Sequence, residues 1–252
     1  MEVKMEEWPI RINHYLAKAG ICSRREADKL IQAGLVKIDG RTAKSGDRVE
    51  AGEQVTLRNS PVMLTPEIHV LAYYKPVGIT CTQKDVHAKK TVTEELRYPV
   101  RVTYAGRLDR DSEGLLLMTN DGELINGLMR AANFHEKEYL VKVSRELTEE
   151  FIQKMEKGVY LEELKQTTRA CRLERIGKYT FTIVLTQGLN RQIRRMCQTL
   201  GYEIISLKRI RVANVTLGKL KPGEYRRLEG EELNKLYSQV FGTGEGDKKW
   251  IR

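Results

Sequence analysis

Apolar positions recur along the chain with two periods, and the period predicts which segments form helices and which form strands. In residues 11–58 a first helix is indicated by apolar residues at helical spacing, which are Ile12, Tyr15, Leu16 and Ala19. Gly20 ends this helix. A capping box of Ser23 and Glu26 begins a second helix, which Gly34 closes.

The same segment continues with short stretches of strand pattern. Residues 36–38 alternate apolar and polar side chains and run into Asp39-Gly40, a pair typical of a two-residue turn. Residues 54–57 predict another strand. The proline-containing residues 59–67 predict a linker after this module.

Beyond the linker, strand patterns dominate. The predicted strands are residues 68–74, 100–105, 115–119, 138–143, 170–176, 179–186, 203–209 and 211–216. Four helices are predicted, at 123–130 capped by Asn120 or Asp121, at 149–157 capped by Thr148, at 191–200 capped by Asn190, and at 231–237. Strands and helices without regular βαβ alternation indicate an α+β domain with a largely antiparallel mixed sheet. The chain is therefore divided into a small domain at 1–58, the linker, a larger domain at 68–240 and a frayed tail at 241–252.

The net charge of the chain indicates what kind of partner it binds. The 252 residues include 44 Lys and Arg against 34 Asp and Glu, a net charge of +10, while 40% of the residues are hydrophobic. Residues 1–63 hold 11 basic and 9 acidic residues, so residues 64–252 carry +8. A folded protein with this excess is expected to bind a polyanion or an anionic surface.

Composition also argues against several classes of protein. The acidic N-terminal segment lacks the apolar stretch of a signal peptide, and no apolar run approaches the roughly 18–20 residues of a membrane span. The four cysteines, Cys22, Cys81, Cys171 and Cys197, are scattered without a CxxC pair, so neither a zinc site nor a disulfide framework is expected. We therefore expect a cytoplasmic protein with no metal and no membrane partner.

Basic residues cluster on the two helices of the first module and nearby. They are Arg11, Lys18, Arg24, Arg25, Lys29 and Lys37. Arg24 and Arg25 lie in the first turn of a helix, where the helix dipole favours acids, so an RNA phosphate docked there would explain them. A solvated charged face is the alternative. The segments 11–28, 34–40 and 46–49 resemble the S4 RNA-binding domain, and the resemblance implies structured RNA held along these helices.

A loop rich in charged residues precedes the predicted strand at 115–119. Residues 106–113 contain three carboxylates and two arginines with glycines at either end, and Arg107 and Arg110 flank Asp109. The arginines are expected to keep Asp109 ionised. A fixed carboxylate beside cations suits chemistry at a sugar carbon. A surface loop held by local ion pairs is the alternative.

A basic helix face and a strand tyrosine complete the candidate site. Arg191, Arg194 and Arg195 share a face of the helix predicted at 191–200, opposite its apolar side. Three cations near a helix N-terminus would repel one another unless a carboxylate or phosphate lies opposite. Tyr139 begins a strand, where it can stack on an RNA base or belong to the core.

Four segments, in order, are similar to motifs of the RsuA-type pseudouridine synthases: residues 75–78, 106–115, 136–139 and 188–197. The amino-acid sequence of residues 135–141 and 187–197 is most similar to that of the F-type enzymes, which act on large-subunit ribosomal RNA. The resemblance implies that Asp109 is the catalytic aspartate and that Arg194 pairs with it. It also implies that Tyr139 stacks on the target uracil and that Arg107 helps to hold the place of the flipped nucleotide.

The expected function is site-specific conversion of uridine to pseudouridine in ribosomal RNA, with 23S ribosomal RNA favoured, by a monomer that needs no cofactor. Arg191 and Arg195 are expected to contact the RNA. Alternatives are the same activity on 16S ribosomal RNA or transfer RNA, and a non-enzymatic ribosome-associated RNA-binding protein. A methyltransferase fused to an S4 domain is disfavoured because no glycine-rich nucleotide loop follows a strand.

Overall fold

The computed structural model describes residues 8–64, 67–82, 91–130 and 134–242. These residues form two compact units. The first comprises the described residues up to His69 together with Tyr98–Val102, and the second comprises those of Val70–Arg97 and from Thr103 onward.

The first unit consists of two helices and small sheets. Its elements are β1 (Ile10–Arg11), α1 (Ile12–Lys18), α2 (Arg24–Gln32), β2 (Val36–Ile38), β3 (Arg41–Thr42), β4 (Arg48–Val49), β5 (Val55–Leu57) and β6 (Ser60–Pro61). Four strands pair antiparallel in the order β3-β2-β5-β6, and β1 pairs with β4. A buried apolar cluster that includes Ile12, Leu16 and Val36 joins the helices to the strands.

Local chemistry explains the bounds of these elements. The Ser23 hydroxyl caps α2 by accepting from the Glu26 backbone N–H at 3.2 Å. Asp39 and Gly40 both have positive φ angles, 45° and 80°, as the turn between β2 and β3 requires. The first residues of the segment 59–67, which was predicted as a linker, belong to a sheet instead, because Ser60–Pro61 pairs with β5 as an edge strand.

The second unit contains the larger sheet. Its strands are β7 (Val70–Lys75), β8 (Thr103–Ala105), β9 (Glu113–Thr119), β10 (Lys137–Val143), β11 (Tyr160–Leu161), β12 (Gln166–Thr167), β13 (Arg172–Gly177), β14 (Thr180–Leu185), β15 (Ile204–Val212), β16 (Val215–Thr216) and β17 (Tyr225–Arg227). Its helices are α3 (Val92–Leu96), α4 (Gly122–Met129), α5 (Glu149–Lys157), α6 (Gln192–Thr199) and α7 (Gly230–Phe241), with a 3-10 turn at Glu162–Leu164.

Nine of these strands form one sheet within the described residues. The order is β13-β14-β10-β15-β9-β7-β17, with β16 added beside β15 and β8 beside β9. All pairs are antiparallel except β15 with β9, which is parallel. The α+β class with a largely antiparallel mixed sheet is therefore confirmed.

The core of the second unit includes an apolar cluster shared by strands and helices. Phe151 and Met155 of α5, Phe181 of β14 and Met196 and Cys197 of α6 are all buried in it. β9 is buried on both sides, as a continuous apolar run predicts, with Leu115–Thr119 at 1% exposure or less. This packing fixes α6 and the strands that carry the candidate site.

Some predicted bounds differ from the structure. The strands predicted at 203–209 and 211–216 are one strand, β15, followed by a short β16. The helix predicted from Arg191 begins at Gln192, because Arg191 and not Asn190 is the N-cap. In the tail predicted at 241–252, Phe241 ends α7, and residues 243–252 lie outside the described residues.

No helix of the described chain is long and apolar enough to cross a membrane. Nor do the described residues bring three His, Cys, Asp or Glu side chains together as a metal site would require.

Candidate active site

A row of directly paired residues crosses the large sheet. Lys75 of β7 pairs with Gly114 of β9, Gly114 pairs with Arg209 of β15, and Arg209 pairs with Tyr139 of β10. Tyr139 in turn pairs with Ile183 of β14. Directly paired residues lie on the same face of a sheet. The row therefore places Lys75, Arg209 and Tyr139 on one face.

The loop between β8 and β9, residues 106–112, carries the predicted catalytic aspartate. Its backbone is fixed by hydrogen bonds: Ser112 N–H donates to Asp109 O at 3.1 Å, and Gly78 N–H donates to Arg110 O at 2.7 Å. Leu108 N–H donates to the buried Cys81 sulfur at 3.5 Å. Three hydrogen bonds thus anchor this segment, which is named the Asp109 loop from here on.

The Asp109 carboxylate is partly open to solvent. Its side chain is 33% exposed, and Arg191 Nη1 lies 3.8 Å from its Oδ2. Among the described residues it accepts no hydrogen bond from another side chain. A carboxyl group beside a cation, with lone pairs available, can act as a nucleophile or as a base.

Arg191 and Arg194 both contact Asp111. Arg191 donates to both Asp111 oxygens, at 3.2 and 2.9 Å. Arg194 Nη2 donates to Asp111 O at 2.8 Å and to Ser112 Oγ at 3.1 Å, and its Nε lies 3.4 Å from Asp111 Oδ2. Burial raises the pKa of Asp111, but the Arg191 hydrogen bonds and the Arg194 charge outweigh it and lower that pKa.

The predicted pairing of Arg194 with Asp109 is therefore wrong in this structure, where Arg191 is the cation beside Asp109. Arg191 has a left-handed backbone, with φ 49°, and precedes the first turn of α6. Its side chain consequently does not follow the helical spacing that groups it with Arg194. Arg194, within the helix, reaches the end of the Asp109 loop instead.

The other predicted residues have different surroundings. Arg195 donates to Asn190 O and Oδ1, at 3.0 and 3.1 Å, and forms an ion pair with Glu163. Arg107 is exposed on the Asp109 loop. Tyr139 is half-buried against the apolar cluster of α5 and α6. The structure thus groups Arg107, Arg191 and Arg194 with Asp109 on one loop and its neighbouring helix.

Two buried cations beneath the loop were not among the predicted site residues. Lys75 has no exposed surface, and its Nζ donates to Ser112 O at 2.7 Å and Pro76 O at 2.9 Å. Burial lowers the pKa of Lys75 to about 8. Arg209 is 3% exposed. Lys75 had a signal in the sequence, because it ends an apolar run. The burial of Arg209 becomes visible only in the structure, where it lies two residues after the buried Leu207.

The basic residues predicted on the first unit remain largely at its surface. Arg11, Arg24 and Arg25 are exposed, and Lys18 is partly buried at the end of α1. Lys37 Nζ donates to Asn59 Oδ1 at 3.1 Å. Arg11, Arg24 and Arg25 thus present their charges at the surface of the unit, where an anionic ligand could bind.

Comparison with known proteins follows the same division of the chain. The S4 domain model matches residues 10–55, and the model described as RNA pseudouridylate synthase matches residues 69–199. The chain is 42% identical over 235 residues to the dual-specificity RNA pseudouridine synthase RluF of Escherichia coli (strain K12), covering 92% of this chain and 79% of that protein.

Two further relatives agree. The chain is 37% identical over 232 residues to the ribosomal large subunit pseudouridine synthase B of Bacillus subtilis (strain 168), covering 90% of this chain and 95% of that protein. A crystal structure described as a pseudouridylate synthase is 28% identical, with a TM-score of 0.67, and the match covers 90% of this chain and 99% of the other. Fold and site thus define an RNA-modifying isomerase with an S4 domain. The chain belongs to the RNA pseudouridylate synthase family.

Proposed function

We propose that the protein converts a specific uridine of ribosomal RNA to pseudouridine, and that the RNA is that of the large subunit. The reaction is supported by the names of both relatives, and the large-subunit RNA by the name of the Bacillus subtilis relative, a ribosomal large subunit pseudouridine synthase. The observation that carries the proposal is the accessible Asp109 carboxylate, 3.8 Å from Arg191 on a loop fixed by hydrogen bonds.

The reaction is an isomerisation. The N1–C1′ bond of the uridine breaks, the uracil turns while it is still held, and C5 bonds to C1′. C5 then loses its proton and N1 gains one, so the product has the same atomic composition as the substrate. Asp109 either attacks C1′ as a nucleophile or removes a proton from C2′. The residues as placed are compatible with both routes.

Access to C1′ requires that the nucleotide leave its helix. Unstacking costs a few kcal/mol, which contacts within the site must offset. In the proposal Tyr139 stacks on the uracil, and Arg107 occupies the space left by the flipped nucleotide. Arg191 and Arg195 contact phosphates around it, and Arg194 positions the loop through Asp111 and Ser112.

The first unit would hold the RNA outside the reacting nucleotide. We propose that Arg11, Lys18, Arg24, Arg25 and Lys37 contact phosphates, within a domain that spans residues 1–58, and that residues 68–240 form the catalytic domain. The enzyme is proposed to work as a monomer in the cytoplasm, where ribosomal RNA is available.

The test is the Asp109→Asn variant, which is nearly isosteric but cannot act as nucleophile or base. Release of tritium from [5-³H]uridine-labelled transcripts of 23S and 16S ribosomal RNA and of transfer RNA measures turnover, and filter retention measures binding. We expect wild-type release with the 23S transcript, and binding without release for the variant. Normal release by the variant would refute the role of Asp109, and wild-type release from another RNA alone would refute the proposed substrate.

A further inference from the structure

Arg209 is a buried arginine that has no acidic partner among the residues the structure describes. It is 3% exposed, and among the described residues its hydrogen bonds go to main-chain carbonyls. Its Nε donates to Leu115 O at 2.7 Å, and its Nη1 donates to Arg107 O at 3.5 Å. Nη2 is buried and has no partner within the described chain.

Such a side chain is an unfavourable choice for core packing alone. Removing an ionised group from water costs several kcal/mol unless it is paired, and an unsatisfied buried donor adds to that cost. A leucine or methionine would fill the same space without either penalty. The presence of a buried guanidinium is therefore best explained by the groups to which it donates hydrogen bonds.

These groups belong to the Asp109 loop and to the strand that follows it. Arg107 lies in the loop, two residues before Asp109, and Leu115 lies in β9, six residues after it, so one side chain joins the first part of the loop to the strand that leaves it. Lys75 supports the same loop from the next strand through Ser112 O. The two buried cations thus hold two carbonyls of the loop and one of β9.

The backbone of Arg209 is itself fixed. A Cβ at Gly114, where φ is +108°, would lie 2.3 Å from Arg209 O, so β15 and β9 approach each other as closely as the missing side chain allows. On its other side Arg209 pairs with Tyr139, and directly paired residues have Cβ atoms about 4.5–5.5 Å apart. Arg209 consequently joins the Asp109 loop to the strand that carries the aromatic ring.

We propose that Arg209 is a positioning residue for uridine isomerisation: its guanidinium sets the Asp109 loop relative to Tyr139, so that the carboxylate meets the ribose of a uracil stacked on the ring. This inference rests on the proposed roles of Asp109 and Tyr139. Arg209 touches neither RNA nor reacting atoms. Small displacements of a reacting group can cost about a hundredfold in rate, so loss of the guanidinium should slow the chemical step.

The test compares Arg209→Met and Arg209→Lys with the wild type under single-turnover conditions, using a [5-³H]uridine-labelled 23S transcript and saturating enzyme. For Arg209→Met we expect the rate of tritium release to fall at least about thirtyfold, with RNA affinity by filter retention within about threefold of wild type. Arg209→Lys keeps the charge but lacks the planar fork. It should recover part of the rate, leaving a loss of about five- to tenfold.

Two control variants separate a positioning role of Arg209 from a general loss of stability. Leu207→Ala removes a buried side chain from the same face of β15, and Arg226→Met removes an arginine paired with Glu232 elsewhere in the unit. Both should release tritium at rates close to wild type after their melting temperatures are taken into account.

The outcomes are distinct. Inactive wild-type enzyme on every RNA tested contradicts the proposed function, and active wild type with an active Arg209→Met variant contradicts only the role of Arg209. A loss in Arg209→Met that Leu207→Ala matches at equal melting temperature also overturns the inference. Where Arg209→Met does not fold, Arg209→Lys decides: a reduced rate at unchanged affinity supports positioning, and an unchanged rate refutes it.

Discussion

Arg191 contacts two carboxylates of one loop: it donates two hydrogen bonds to Asp111, at 3.2 and 2.9 Å, and lies 3.8 Å from Asp109. The geometry gives the two aspartates different roles. Asp111 pairs with Arg191 and contacts Arg194, while Asp109 has a cation nearby but keeps its oxygens available. Of the two acids in the Asp109 loop, one is thus a carboxylate suited to chemistry.

This arrangement separates the two arginines experimentally. Arg194→Gln should lower the free energy of unfolding by about 1–3 kcal/mol, because its side chain is only 16% exposed and its hydrogen bond to Ser112 Oγ is partly buried. Arg191→Gln should lower it by less than about 1 kcal/mol, since that pair is 43% and 46% exposed. Urea unfolding measures both, and equal losses would contradict the observed partners.

The tyrosine of β10 supplies a second prediction. Tyr139→Phe should keep most of the stacking and lose less than about fivefold in the rate of tritium release, whereas Tyr139→Leu should weaken stacking by about 1–3 kcal/mol, or roughly five- to hundredfold. Single-turnover rates and filter retention on the same transcript measure the two effects. A Leu variant as active as the Phe variant would mean that the ring does not meet the base.

Gly114 provides a test of the strand contact beneath the loop. Gly114→Ala should lower the free energy of unfolding by at least about 3 kcal/mol, because the residue has φ +108° and its Cβ would overlap the Arg209 backbone. Gly177→Ala is the control: its φ is not positive, and its Cβ would meet nothing within 4 Å. Thermal or urea unfolding compares the variants. Similar stabilities for the two would show that β9 and β15 can separate.

Salt dependence tests the first unit. Arg24→Gln and Arg25→Gln should each weaken RNA binding and reduce the slope of log affinity against log salt by about 0.7–1, if each arginine contacts one phosphate. Arg41→Gln is the matched control from the same unit, because Arg41 is paired with Asp47 at 2.8 Å. Filter retention between low and moderate salt measures the slopes, and three equal slopes would argue against a phosphate contact at α2.

Locally encoded elements were predictable from the sequence. α5 has the predicted bounds, Glu149–Lys157, because a Thr148 cap and an amphipathic stretch lie within one segment. The Asp39-Gly40 turn is equally local. α3 was missed because it has five residues, fewer than periodicity can identify.

The parts of the site that depend on distant pairing were not predictable. Arg209 lies in a strand whose charged residues suggest a solvent face, and its burial follows from the parallel pairing of β15 with β9, which no local pattern specifies. Arg194 was predicted beside Asp109, but Arg191 occupies that place. The reason is the left-handed backbone conformation of Arg191, which helical spacing cannot indicate. The aspartate itself was identified from its motif and its flanking charges.

The last prediction concerns pH and the partly buried Lys137, two residues before Tyr139 on β10. Burial, with a smaller contribution from the Arg209 charge, lowers the pKa of Lys137 from 10.5 to about 8. Between those values the unfolded chain binds a proton that the folded protein does not, so this lysine makes stability rise with pH from about 8 to about 10.

Urea unfolding from pH 7 to 10 should show the wild type gaining stability relative to Lys137→Met. Lys178→Met is the control, because an ion pair with Glu146 raises the pKa of Lys178, and the corresponding difference should not rise in that range. A flat difference for Lys137→Met would mean that Lys137 keeps its proton in the folded protein over this pH range.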